Sequence, residues 1–243
     1  MAKLNFERKE IKYIMSLNKY KELIKRIEEE LVPSEFYFSE IRNLYLDTPN
    51  YQLIRTSISK PIYKEKLRIR SYGDAKKTGK LFYEIKKKYE GVVYKRRFAI
   101  DINSPKDYSD PPTKFLEGDY GLEQQVIKEW NYCSKIYEEL VPRYFVSYER
   151  YAYVGKEDPE LRITFDSNLT WREDNLSLSG EIFGKKLLSN SVLMELKALG
   201  AIPMWLSRVL SDLEIFPMSF SKIGTAYSDS FETKEVEEIL NYI

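Results

Sequence analysis

Lys64-Glu65-Lys66-Leu67-Arg68-Ile69-Arg70 places a cation at every second position. Successive side chains of a β-strand point to opposite faces. Read as a strand over Ile62 to Tyr72, the segment puts Lys64, Lys66, Arg68 and Arg70 on one face and Leu67 and Ile69 on the other. A helix would scatter the same cations around its circumference. A half-buried strand keeps one apolar and one polar face, and here the polar face is basic.

The pattern recurs along the chain. Arg8, Glu10 and Lys12 share a face of a strand over Phe6 to Ile14, and Glu84, Lys86 and Lys88 share one over Lys80 to Lys88. Lys95 and Arg97 do so within Val92 to Ile102, and Tyr148 and Arg150 within Arg143 to Val154, though only Arg150 is charged there. Arg162, Thr164 and Asp166 align within Glu160 to Asp166, and Glu195 and Lys197 within Val192 to Leu199. A short strand over Ile41 to Leu46 ends at Asp47-Thr48-Pro49, and Glu90-Gly91 marks a hairpin. Helices are expected over Lys19 to Leu31 with Asn18 as cap, over Gly121 to Leu140, from Pro203 to about Leu213, and over Thr233 to Tyr242. Pro105 to Thr113 reads as a surface loop.

Most of these strands follow one another by hairpins, so the sheet should be antiparallel, and eight long strands suffice to close a barrel. The expected fold is α+β: a closed antiparallel eight-stranded β-tunnel with helices packed outside, forming a single domain over residues 1–243.

One charged face is ordinarily a solvated face. Six strands whose faces are rich in Arg and Lys, with isolated carboxylates between, are better explained by a lumen carrying the charges. Clustered cations away from water require a compensating anion. Phosphate chains supply dense charge and many acceptor oxygens, which Arg reads bidentately and Lys meets as a point charge. Two roles stay open for Glu10, Glu84, Asp166 and Glu195: relieving repulsion, or holding a divalent ion that bridges phosphates.

Composition narrows the chemistry. The net charge of +1 gives no general attraction to nucleic acid or to a membrane surface. One cysteine, Cys133, excludes an intrachain disulfide and a Cys-based zinc site, and reads as a small apolar residue on a helix. With no histidine, a Ser-His or Cys-His nucleophile is ruled out. A metal held by carboxylates and water would be Mn²⁺ or Mg²⁺. Phosphoryl transfer runs on positioning and charge stabilisation, so it needs no histidine. No apolar h-region or membrane-length run is present, and a cytoplasmic location is expected. The 20 tyrosines are ascribed to genome composition rather than to stacking platforms.

Read in order, Arg8-Lys9-Glu10-Ile11-Lys12-Tyr13, Leu44-Tyr45-Leu46-Asp47-Thr48-Pro49, Lys66-Leu67-Arg68-Ile69-Arg70-Ser71-Tyr72-Gly73, Glu84-Ile85-Lys86, Tyr94-Lys95-Arg96-Arg97-Phe98, Tyr148-Glu149-Arg150, Leu161-Arg162-Ile163-Thr164-Phe165-Asp166, Leu193-Met194-Glu195-Leu196-Lys197 and Phe220-Ser221-Lys222 resemble VTC domains. These polyphosphate polymerase domains belong to the triphosphate tunnel metalloenzymes of the CYTH-like superfamily. The resemblance covers about Arg8 to Tyr227. It implies phosphate binding by Lys12, Arg68, Arg70, Lys86, Lys95, Arg150, Arg162 and Lys222, and metal binding by Glu195. Lys66, joined to them by its strand face, and Arg8, Lys197 and Ser221 become further phosphate-binding candidates, with Glu10 a second metal candidate. The superfamily's opening Glu-x-Glu-x-Lys appears here as Arg8-x-Glu10-x-Lys12, which shifts the charge balance toward a longer polyanion.

The function expected from this resemblance is metal-dependent synthesis of inorganic polyphosphate from ATP or another nucleoside triphosphate, a phosphotransferase of the polyphosphate kinase type. Lys12, Arg68, Arg70, Lys86, Arg150, Arg162 and Glu195 form its catalytic set. The alternatives are a tripolyphosphatase or nucleoside triphosphatase, and a non-catalytic polyphosphate-binding module. The expected ligands are the nucleotide and polyphosphate or triphosphate. Nucleic acid is not among the expected partners. Lacking a span of its own in this sequence, the chain would pass product to a membrane partner protein.

Overall fold

A computed structural model describes the backbone over residues 8–102 and 123–241, and side chains over 10–102 and 123–232. The expected loop over Pro105 to Thr113 lies outside the described residues, as do the start of the helix expected from Gly121 and the side chains of the C-terminal helix.

The strands are β1 (Arg8–Ser16), β2 (Leu31–Asp47), β3 (Tyr63–Tyr72), β4 (Lys80–Tyr89), β5 (Val92–Asp101), β6 (Val141–Gly155), β7 (Arg162–Arg172), the two-residue β8 (Lys185–Lys186) and β9 (Ser191–Leu199). The helices are α1 (Leu17–Ile27), α2 (Gln52–Ile58), α3 (Ala75–Thr78), α4 (Gln124–Ile136), α5 (Met204–Asp212) and α6 (Lys222–Asn241). Strand pairing runs β1-β9-β7-β6-β2-β3-β4-β5, with β8 beside β7. The α+β class and the antiparallel pairing agree with expectation. The closed ring does not appear in the pairing: the order begins at β1 and ends at β5, and no ladder among the described residues joins them.

Two compact units divide the chain, and β2, β6 and β7 contribute residues to each. The first comprises residues 1–40, 148–169 and 188–220. Its core gathers Tyr13, Met15, Leu23, Ile27, Ile163, Phe165, Met194, Leu196, Leu206 and Leu210, from β1, β7 and β9 with α1 and α5. The second comprises residues 41–147, 170–187 and 221–243. Its core joins Leu44, Leu67, Ile69, Tyr83, Ile85 and Phe98 of the sheet to Ile127, Trp130 and Cys133 of α4. Burial pushes the Cys133 thiol up to about 12, with Glu65 adding to the effect, so the sulfur is an inert packing atom as expected.

Three sequence expectations need correction. The helix α1 begins two residues early because Ser16, not Asn18, supplies the cap: its hydroxyl accepts from the Lys19 amide at 3.3 Å. β2 starts at Leu31, ten residues before the expected strand. Its first half shows no apolar alternation, with Phe36 and Phe38 exposed; instead Tyr37 and Phe38 pack edgewise or tilted on Tyr151 of β6. The last helix starts at Lys222 rather than Thr233. The expected hairpin at Glu90-Gly91 is present, with φ of 46° and 88° at its two turn residues and Tyr89 paired to Val92.

Asp47 does more than end a strand. Its Oδ1 accepts from the Thr48 and Leu53 amides at 2.8 Å each, and its Oδ2 accepts from Ile54 at 2.9 Å. While the Gln52 amide donates to Thr48 Oγ1 at 3.0 Å, one buried carboxylate thereby satisfies the Leu53 and Ile54 amides in the first turn of α2. Replacing it with alanine would strand these donors, each costing about 1–3 kcal/mol. Asp47→Ala is therefore expected to lower unfolding free energy by about 2–5 kcal/mol, and Asp47→Asn by less, in urea titrations of both variants.

Candidate functional site

In the second unit the register aligns side chains into rows across β2, β3, β4 and β5. Tyr45, Arg68, Glu84 and Arg97 are successive partners, as are Asn43, Arg70, Phe82 and Ala99. Lys66, Lys86 and Lys95 form a third row, and Lys64 pairs with Lys88 beyond it. Cross-strand partners share a face, so these cations stand together, opposite the core made by Leu67, Ile69, Tyr83 and Ile85.

Glu84 organises them. Its carboxylate is 1% exposed. Arg68 approaches Oε2 at 2.6 Å, Lys95 approaches Oε1 at 2.7 Å, and Arg70 lies 3.8 Å from Oε2. Burial alone would raise its pKa, but Arg68, Arg70 and Lys95 outweigh that and hold the carboxyl down to about 2. Arg68 also donates to the Tyr45 hydroxyl at 3.1 Å. Burial opposes ionisation of Tyr45, yet Arg68, Arg70 and Lys222 pull its pKa below the ordinary phenol value. Arg70 donates to Asn43 Oδ1 at 2.9 Å, and Asn43 in turn donates to the Val146 carbonyl at 2.9 Å. Loss of hydration lowers Lys95 to about 8; Arg68 and Arg70 add to this, and Glu84 opposes it. Lys66 donates to Ser221 Oγ at 2.9 Å, which also accepts from the Gly224 amide at 3.1 Å at the start of α6. Lys222 follows it and is buried.

The first unit carries a second charged face. Lys12 of β1 pairs with Glu195 of β9, which pairs with Thr164 of β7; Glu10, Lys197 and Arg162 form the adjacent row. Arg150 makes a bidentate pair with Asp166, with Nε to Oδ1 at 2.6 Å and a terminal nitrogen to Oδ2 at 2.7 Å. The same terminal nitrogen lies 3.4 Å from Glu195 Oε2, and the guanidinium sits 5.3 Å from the Tyr148 ring centroid. Burial opposes the charge on Arg150, but Asp166 and Glu195 hold its pKa well above the ordinary arginine value. Lys12 Nζ donates to the Phe220 carbonyl at 2.9 Å and stands 3.7 Å from Glu10 and 3.9 Å from Glu195. Lys197 lies 3.8 Å from Glu10. Arg162 is exposed.

The two roles left open for the carboxylates thus separate. Glu84 and Asp166 are committed to guanidinium partners. Glu10 and Glu195 are held more loosely, at 3.7 and 3.9 Å from Lys12 with Glu195 also 3.4 Å from Arg150, and remain the candidates for a metal. No cluster of three Cys, Asp or Glu able to cage an ion exists among the described residues. A hard divalent ion held by one or two carboxylates, with phosphate oxygens and water completing its shell, does not require one, so the donor set fits such an ion. The Thr164 hydroxyl, in the same row, is buried and has no hydrogen-bond partner among the described residues.

The expected residues are thereby grouped: Lys66, Arg68, Arg70, Lys86, Lys95, Ser221 and Lys222 in the second unit, and Glu10, Lys12, Arg150, Arg162, Glu195 and Lys197 in the first. Arg8 pairs with Leu199 in β1, but its side chain lies outside the described residues. Sequence reasoning did not mark Tyr45, Asn43 or Tyr148 as site residues. Asn43 and Tyr45 stand at alternate positions directly before Asp47, a spacing that already placed them on one strand face.

Similar solved structures include a "putative adenylate cyclase" from Bacillus halodurans, 15% identical, with a TM-score of 0.52 over 88% of this chain and 95% of that one. Another is a "putative adenylyl cyclase" from Hippeastrum described as having a dominant triphosphatase activity, 17% identical, with a TM-score of 0.49 over 90% of this chain and 95% of that one. No curated protein matches the sequence. The VTC domain model matches residues 7–231, nearly the whole chain and both charged faces, and the chain belongs to the VTC domain family.

Proposed function

We propose that this chain synthesises inorganic polyphosphate from ATP or another nucleoside triphosphate, with Mn²⁺ or Mg²⁺, inside a tunnel formed by closure of the sheet into one domain. The observation that carries the reading is the face of the second unit, where Lys66, Arg68, Arg70, Lys86 and Lys95 stand in aligned rows around the single deeply buried Glu84. Such a face retains positive charge after its internal pairing and offers Arg forks and Lys point charges to phosphate oxygens. Membership of the VTC family supports polyphosphate as the polyanion.

In this reading Lys12, Arg68, Arg70, Lys86, Lys95, Arg150, Arg162 and Lys222 bind and orient phosphates, assisted by Arg8, Lys66, Lys197 and Ser221. A divalent ion bound by Glu195 and Glu10 would neutralise charge on the bridging oxygens. Arg150 keeps the Glu195 carboxylate in place through its pair with Asp166. The acceptor, a phosphate chain or water, separates a polymerase from a triphosphatase.

Purified protein with ATP and Mn²⁺ is expected to give a ladder of chains on a gel that a specific exopolyphosphatase removes. Orthophosphate alone would assign a triphosphatase, and tight binding without turnover a binding module. Glu195→Gln keeps the side-chain shape but loses the charge. It is expected to melt within a few degrees of wild type while losing Mn²⁺-stimulated turnover and the calorimetric heat of Mn²⁺ binding. Unchanged Mn²⁺ affinity would remove Glu195 from the metal role.

Lys95 supplies a pH signature. A phosphate beside it favours the ammonium form, so binding takes up a proton wherever the free protein has lost it. Affinity for tripolyphosphate should be full below about pH 8 and fall as pH rises above it. Stability of the unliganded protein moves the other way: the unfolded lysine holds its proton to higher pH, so unfolding free energy gains from about pH 8 upward. Calorimetry in two buffers of different ionisation enthalpy, about half a unit above that pKa, should show proton uptake in wild type and none in Lys95→Met. Equal uptake in both would assign the titration elsewhere.

A further inference from the structure

The basic face of the second unit is not the same at its two ends. Beyond the Lys66, Lys86 and Lys95 row lie Lys64 and Lys88, with Val93 beside them. Beyond the Arg68 and Glu84 row the cations give way to rings. Phe82 is the cross-strand partner of Arg70, and Tyr72 follows Arg70 by two positions on the same strand face. Their centroids lie 5.3 Å apart, at 81° to one another. Arg97 places its guanidinium 5.1 Å from the Phe82 centroid, and Arg70 lies 5.9 Å from that of Tyr72. Tyr72 is 36% exposed, and neither ring belongs to the hydrophobic core, which occupies the opposite face of these strands.

An inorganic phosphate chain has no use for aromatic rings. A nucleotide has: bases stack on aromatic faces and guanidinium planes with little regard to sequence. The rows are about 7 Å apart along the strands, so the distance from the ring row through Glu84 to the lysine row matches an extended base, sugar and triphosphate laid along the sheet. We propose that Tyr72 and Phe82, framed by Arg70 and Arg97, form a nucleobase-stacking platform that fixes the orientation of a nucleoside triphosphate, its phosphates directed toward Arg68, Lys86 and Lys95. The inference rests on the reading of this face as a phosphate site and adds a direction to it. Because stacking rather than edge hydrogen bonding does the recognition, purine nucleotides should bind better than pyrimidine ones, with little distinction between ATP and GTP.

The test compares a ligand that has a base with one that lacks it. ATP and tripolyphosphate affinities are measured by calorimetry for wild type, Tyr72→Leu, Phe82→Leu and the double variant, with the fluorescence of etheno-ATP as a direct report on stacking. The double variant is expected to bind ATP about 10-fold more weakly, to lose the fluorescence change, and to bind tripolyphosphate within about twofold of wild type. Phe82→Tyr, which keeps a ring, should retain ATP affinity and so controls for misfolding. Equal losses for ATP and tripolyphosphate, or no loss for ATP, would overturn the platform while leaving the phosphate site standing. If wild type binds neither ligand, the phosphate reading fails and the platform with it.

Discussion

Glu84 is the interaction on which the second unit's charged face depends. Arginines and lysines brought onto adjacent strands repel one another and lose hydration, a cost that rises steeply as water is excluded. A carboxylate almost fully removed from solvent, with Arg68 at 2.6 Å and Lys95 at 2.7 Å, reverses the balance locally. Removing either partner of such a buried pair leaves an uncompensated charge, so the face holds its geometry without a ligand. Arg150 and Asp166 serve the first unit in the same way, through a bidentate pair whose carboxylate is fully buried. Cation repulsion relieved only by a bound anion, as the alternating pattern alone suggests, is therefore not the resting condition of either face.

That arrangement needs the apolar faces as much as the charged ones. Leu67, Ile69, Tyr83, Ile85 and Phe98 fill the other side of the same strands and close on Trp130 of α4. A slip of one residue in any of these ladders would drive Arg68 or Glu84 into that core and expose its hydrophobic side chains. The penalty makes the register sharply defined, and the register in turn sets which cation faces which carboxylate. Side chains without chemistry of their own thus decide the positions of those that have it.

The same logic explains what the sequence made legible. Strands with one apolar face, such as β3, β4 and β9, declare themselves by period, and the grouping of Lys66, Arg68 and Arg70 could be read from spacing alone. The first half of β2 could not, because Phe36, Tyr37 and Phe38 interrupt alternation and its packing comes from tyrosines of β6, remote in sequence. The closed ring expected from the strand count does not appear in the pairing among the described residues, because local pattern shows which face a strand buries and not which edges meet. Period also assigns a carboxylate to a face without saying what it touches there. How closely cations approach Glu84 and Glu195 depends on distances between strands, and those emerge only from the ladder register.

Charge balance then distinguishes the two faces. In the second unit Lys66, Arg68, Arg70, Lys86, Lys95 and Arg97 stand on a face whose buried carboxylate, Glu84, is paired with Arg68, Arg70 and Lys95, so among the described side chains of these rows cations outnumber carboxylates. In the first unit Lys12, Arg150, Arg162 and Lys197 are set against Glu10, Asp166 and Glu195, which leaves little net charge among the described side chains. A nearly neutral face attracts phosphate weakly, but its carboxylates can share a cation with phosphate oxygens. The candidate metal carboxylates therefore fall on the first unit's face and the larger excess of cations on the second's. The division follows from where carboxylates fall along β1, β7 and β9 as against β3, β4 and β5.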